Sequence, residues 1–150
     1  MINEQEVLHK AATYCSAAER CISEVKEKLD GWQTDEKTTD KIIQYLIKEK
    51  FIDEIRYCKS FVSDKIRFNK WGKIKIAHAL QQKKIESDVI QSALEEIDEN
   101  KYLDILSDLI KNKRKTVKSK DHYEEQNKLF RFALSKGFSS DEIRRIMSNE

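Results

Sequence analysis

The chain has no proline and only three glycines, Gly31, Gly72 and Gly137, in 150 residues. A β-sheet protein of this length must turn sharply many times, and tight turns draw on glycine or proline for their backbone angles. Helices penalise both residues in their interiors and need few of them. An all-α fold is therefore expected. The composition agrees, because 37% charged and 39% hydrophobic residues suit amphipathic helices with one solvated face. No apolar run reaches the roughly 18 residues of a membrane span, so no membrane partner is expected. The N-terminal MINEQEVLHK is polar and acidic, unlike a secretory signal. The three cysteines, Cys15, Cys21 and Cys58, are odd in number and lack metal-ligand spacing. They read as reduced, half-buried core residues of a cytoplasmic protein.

Helical periodicity recurs along the chain. Val7, Leu8, Ala11, Ala12 and Cys15 mark a first helix, and Ile22, Val25 and Leu29 a second. Gly31 is placed to end the second in the left-handed conformation. Thr39 or Asp40 is placed to cap a third, with Ile42, Ile43, Leu46 and Ile47. Asp53 opens the next helix, which runs to about Phe68 and breaks over residues 69–72. A further helix to Gln82 carries Ile74, Ile76, Ala77 and Leu80 on its apolar side. Ser87-Asp88 opens a helix with Val89, Ile90, Ala93 and Leu94. Another starts near Glu99, and the basic stretch Lys111 to Lys120 reads as a solvated, mobile loop. The last two helices carry Leu129, Phe130, Ala133 and Leu134, then Ile143, Ile146 and Met147, with Ser140-Asp141 opening the final one.

The pattern repeats. Trp32, Ile85 and Phe138 follow the ends of the middle helices at intervals of 53 residues, and each is followed by a polar cap and an apolar pair. Three three-helix repeats are expected, over residues 1–52, 53–98 and 99–150, in an elongated tandem array. Units this small cannot hide an apolar stripe alone and bury the remainder by stacking.

Nothing in the sequence gathers catalytic or ligand-holding groups. His9, His78 and His122 lie in different repeats, and Gly72 and Gly137 are isolated rather than part of a phosphate-cradling loop. Adjacent carboxylates such as Asp53-Glu54 and Glu95-Glu96 point apart on a helix. No enzyme, metal or cofactor is expected. Binding is the better class, and charge points to the place. Residues 1–53 carry a balance of −3, whereas Lys59 to Lys84 holds eight Lys/Arg against one Asp, and residues 101–120 stand at +5. Lys65, Arg67, Lys70, Lys73 and Lys75 surround Phe68 and Trp71, a mixture that can hold phosphates, stack bases or meet an acidic protein surface. Tyr57, Phe61, Phe68 and Trp71 have core packing as their competing reading.

The stretch Phe51 to Ile85 also resembles the central signature of the RecX regulatory proteins. The matching residues are Phe51-Ile52-Asp53-Glu54, Arg56-Tyr57, Ser60-Phe61-Val62, Asp64-Lys65 and Arg67-Phe68. They continue with Lys70-Trp71-Gly72, Lys75-Ile76, Leu80 and Lys83. Weaker likeness extends to Cys15, Ser16, Arg20, Glu24 and Leu29, and to Lys128, Phe132, Leu134, Gly137, Phe138 and Ile143. Ile55 departs from the family's usual acidic residue and Lys84 from its usual glycine, which predicts a looser helix end before Ile85. The resemblance implies tandem three-helix repeats and a monomeric modulator of DNA repair, recombination and the SOS response. Such a protein binds RecA recombinase filaments and limits their strand exchange, ATP turnover and co-protease activity. Charge placement nominates Arg56, Lys65, Arg67, Lys70, Lys73 and Lys75 for that contact. A helical module that binds single- or double-stranded DNA directly is the alternative.

Overall fold

The computed structural model describes residues 3–149. Among them there are nine α-helices, one π-helical turn and no strand. The helices are α1 (Glu4–Ala17), α2 (Ile22–Gly31), α3 (Glu36–Lys48), α4 (Glu54–Asp64), α5 (Lys73–Gln82), α6 (Ser87–Glu95), α7 (Glu99–Arg114), α8 (His122–Ser135) and α9 (Ser140–Ser148). The π turn Lys65–Asn69 continues α4. The chain forms two compact units. The first comprises Met1–Ser60 and Leu80–Ile90, and the second Phe61–Ala79 and Gln91–Glu150.

Side-chain caps start many of the helices. Asn3, Asp35, Asp98, Asp121 and Ser139 each accept a bond from a backbone N–H in the first turn of α1, α3, α7, α8 and α9. Asp53 accepts from the N–H groups of Ile55 and Arg56 and so opens α4. Satisfying these otherwise unpaired donors is worth about 1 kcal/mol per cap. The cap of α3 is a correction to the sequence reading. It is Asp35, whose Oδ1 lies 2.8 Å from Thr38 N, so Thr39 and Asp40 lie inside the helix and Thr39 is buried. Polar residues at 36–41 concealed that start because they form the helix's solvated side. The helix α9 is likewise capped one residue earlier than expected, and Lys111–Arg114 is the last turn of α7 rather than loop.

Helix ends share one left-handed turn. Gln33, Lys50, Lys84 and Gly137 have φ of 61°, 63°, 63° and 100°. In each case the next residue's N–H bonds the carbonyl five residues back: Thr34 to Leu29, Phe51 to Leu46, Ile85 to Leu80 and Phe138 to Ala133. This is the standard closure of a helix C-terminus. Gly31 does not make the turn; it is still helical and Gln33 takes the positive φ. Lys84 makes its turn without a glycine, so that end is not loosened. Gln33, Lys84 and Gly137 therefore mark equivalent points of the repeat, and the intervals are 51 and 53 residues rather than 53 and 53. The first bonds of the following helices agree, since Thr39, Ile90 and Ile143, all buried, donate to Asp35, Glu86 and Ser139.

In the first unit, Val7, Ala11, Val25, Leu29, Ile42 and Leu46 share one core, with Trp32 and Phe51 packed on its margin. A buried tyrosine joins helices in each unit. Tyr57, on the first turn of α4, bonds Glu24 and Cys21 at the start of α2. Tyr102, on the first turn of α7, accepts from Lys73 N at the start of α5 (2.9 Å) and donates to Glu142 Oε1 (3.3 Å). Burial pushes both phenols above their ordinary pKa, so both stay protonated and able to donate. The neighbouring glutamates follow the same plan. Glu54 accepts from Ile22 N, and Glu99 pairs with Lys73 Nζ at 3.0 Å. The three cysteines are buried free thiols, and burial pushes Cys58 up to about 11.

Candidate partner-binding site

The break at residues 69–72 is built by backbone chemistry. The π turn ends at Lys70, whose φ of 57° reverses the chain, and Trp71 N bonds back to Lys65 O. Gly72 then lies against the turn between α8 and α9. Its N–H donates to Lys136 O at 2.7 Å, and Ile74 N donates to Gly137 O at 3.1 Å. A Cβ on Gly72 would overlap the Gly137 carbonyl and Phe138 N, so no other residue fits. Lys136 Nζ adds a bond to Asn69 O. With Tyr102 holding Lys73 N, the N–H groups of Gly72, Lys73 and Ile74 at the start of α5 are met by neighbouring segments of the same unit.

This frame aims the cations. Lys65 and Lys75 each place Nζ 4.8 Å from the Trp71 ring centroid, so two ammonium groups share one indole. Each such contact is worth about 0.5–1 kcal/mol at a partly exposed site. Arg67 covers the Phe68 ring at 5.2 Å, and Lys70 Nζ donates to Arg67 O. Lys65, Arg67, Lys70 and Lys75 have no carboxylate partner among the described residues. Their field is therefore uncompensated locally and open to an anionic partner.

Two nominated residues also make ion pairs within their own units. Lys73 pairs with Glu99 and sits over Tyr102 at 4.6 Å, which fixes α5 to α7. Arg56 belongs to the first unit, where it pairs with Glu19 at 2.5 Å and donates to the carbonyls of Lys50 and Phe51 at the end of α3. The Glu19 carboxylate pushes the Arg56 pKa further up. The five residues from Lys65 to Lys75 all lie in the second unit.

The aromatics divide by burial. Tyr57 is core, Phe61 and Trp71 are half-buried, and Phe68 is 71% exposed. Ile74 leaves the expected apolar side of α5 and is 59% exposed. The sequence reading missed Ile74 because its helix begins only at Lys73, so periodicity had no preceding turn to fix the face. Among the described residues no group of three or more His, Cys, Asp or Glu could hold a metal, and no helix is long and apolar enough to cross a membrane.

The second three-helix domain of RecX matches residues 53–94, and the third matches residues 100–147. The chain belongs to the RecX family. It is 34% identical over 120 residues to regulatory protein RecX of Clostridium beijerinckii, covering 79% of this chain and 55% of that protein. It is 37% identical over 128 residues to the RecX of Clostridium botulinum strain Alaska E43, covering 83% and 58%. The chain thus spans just over half the length of these relatives. The crystal structure of RecX from Lactobacillus salivarius superposes with a TM-score of 0.86 at 26% identity, over 97% of this chain and 95% of that one. The expected helical fold of three-helix repeats is therefore that of the family. The relatives' name is one of regulation and specifies no reaction.

Proposed function

We propose that this protein binds RecA nucleoprotein filaments and restrains recombinase, ATPase and co-protease activity, as a monomer, in bacterial DNA repair in the cytoplasm. Its repeats on this reading are residues 1–52, 53–98 and 99–150. The observation that carries the reading is the coincidence of the RecX signature with four cations, Lys65, Arg67, Lys70 and Lys75, that no carboxylate among the described residues neutralises. A polyanionic filament supplies the missing negative charge, and complementary charge raises encounter rate and fixes register. Arg56 and Lys73, each paired with a carboxylate of its own unit, complete the proposed contact set.

The test is RecA ATPase on single-stranded DNA, with and without this protein, across salt. Inhibition is expected at amounts well below one copy per recombinase protomer. Arg67→Glu with Lys70→Glu, both exposed, should need about tenfold more protein for half-inhibition, with an unchanged melting curve. Lys73 is left intact because reversing it would set two carboxylates against each other at Glu99. Unchanged inhibition by the folded double variant removes the patch from the reading. The exposed Phe68 ring beside Arg67 favours one second reading, direct binding of DNA by base stacking. That reading expects single strands to be bound without recombinase, with a steep salt slope.

A further inference from the structure

We infer that Phe68, with the exposed Ile74 that follows it in the same fixed segment, is the anchor by which this surface docks on a protein, entering an apolar recess rimmed by carboxylates. The inference rests on the proposed function and names which component of the filament the patch faces. Three observations support it. First, both apolar side chains stand in solvent, Phe68 at 71% and Ile74 at 59%, while their neighbours Ile66, Gly72 and Ile76 are buried. Second, their backbones are not loose. Asn69 O and Ile74 N are both held by the Lys136–Gly137 turn, and the π turn is closed by Trp71 N on Lys65 O. An exposed aromatic on a fixed backbone loses little conformational freedom on binding, which is the property of an interface hot spot. π turns of this kind are found frequently at functional positions.

Third, the surroundings specify the partner. Arg67 covers the ring, Lys70 follows it, Lys65 and Lys75 flank Trp71, which lies between the two apolar residues in sequence, and none of these four cations has a carboxylate partner among the described residues. The complement is an apolar pocket with an acidic rim. Phosphate would satisfy the cations, and a base could stack on Phe68, but neither gains from the aliphatic Ile74. A protein pocket buries both. Tyr123 provides a contrast within the same unit: it is 77% exposed, but among the described residues no cation covers its ring, and the neighbouring Glu124 and Glu125 are paired with Lys128 and Arg114.

The experiment compares the full chain with Phe68→Ala, Ile74→Ser and Tyr123→Ala. The readouts are half-inhibition of RecA ATPase on single-stranded DNA, anisotropy of a labelled oligo-dT without recombinase, and sedimentation of the protein alone. Melting curves should hardly move, given the exposure of all three side chains. Phe68→Ala and Ile74→Ser should each raise the half-inhibiting concentration about tenfold, with Tyr123→Ala at the wild-type value and oligo-dT affinity unchanged. A parallel loss of oligo-dT affinity in Phe68→Ala overturns the inference and makes the ring a base platform. A wild-type dimer dissolved by Phe68→Ala overturns it in favour of a second copy of this chain. Normal inhibition by Phe68→Ala overturns the inference and leaves the proposed function standing. A wild type that does not inhibit overturns both.

Discussion

Gly72 and Gly137 are the positions where a single methyl group has nowhere to go. Gly72 abuts the Gly137 peptide, and Gly137 itself holds a φ of 100° while its missing Cβ would overlap Lys75. The atoms in the way at Gly72 are backbone, which cannot swing aside. Gly72→Ala should therefore cost about 3 kcal/mol, the upper part of the overpacking range, read as a fall in the urea midpoint. Gly31 makes a control, since nothing lies within 4 Å of a Cβ built there. This difference was only half legible in the sequence. The Trp71-Gly72 step pointed to a break, but a glycine kept for lack of room looks the same in a chain as one kept for its backbone angle. Phe68 was undecided for a similar reason: spacing places it on a helix, and the π turn rotates it away from where an α-helix would put it.

At the scale of elements, the ends carry more information than the middles. Periodicity located every helix, because buried residues recur on one side of each. Their boundaries depended on competition among polar residues, and Asp35 outcompetes Thr39 and Asp40 because the Gln33 turn delivers the chain directly to it. The left-handed residues were invisible for a further reason. Gln33, Lys50, Lys70 and Lys84 are exposed, and their flexible side chains give no sign of a strained backbone. Each carries a penalty that glycine would avoid. Lys84→Gly should thus stabilise the chain by about 1 kcal/mol, since left-handed backbone costs other residues about that much. Thermal unfolding by circular dichroism would register the gain, and a lower melting temperature would mean the Lys84 side chain contributes packing that outweighs it.

For the molecule as a whole, two half-buried glutamates of the first unit respond to acid in opposite ways. Glu54 is raised, chiefly by burial and despite the Ile22 N–H, so its folded form favours the proton and its charge costs stability at neutral pH. Burial also disfavours charge on Glu24, but the Cys21 N–H and the Lys83 ammonium outweigh it and the pKa is lowered. A lowered carboxylate stabilises the fold above its unfolded pKa and loses that contribution as pH falls through the folded one. Glu24→Gln should therefore be less stable than wild type at neutral pH, with the gap closing as pH drops from about 5 to about 3. Urea titrations across that window measure it, and a gap that stays constant would show that packing, not charge, holds Glu24. The second unit has a different dependence, on order of synthesis. Asn69 and Lys136 are 67 residues apart in sequence, yet the N–H groups of Gly72 and Ile74 find their acceptors only on the Lys136–Gly137 turn. While a ribosome is still making the chain, the segment around Trp71 emerges with its donors unmet and its cations already displayed. It settles only once residues 136 and 137 have been made, so a nascent chain would show nucleic acid the charge of this patch long before its shape.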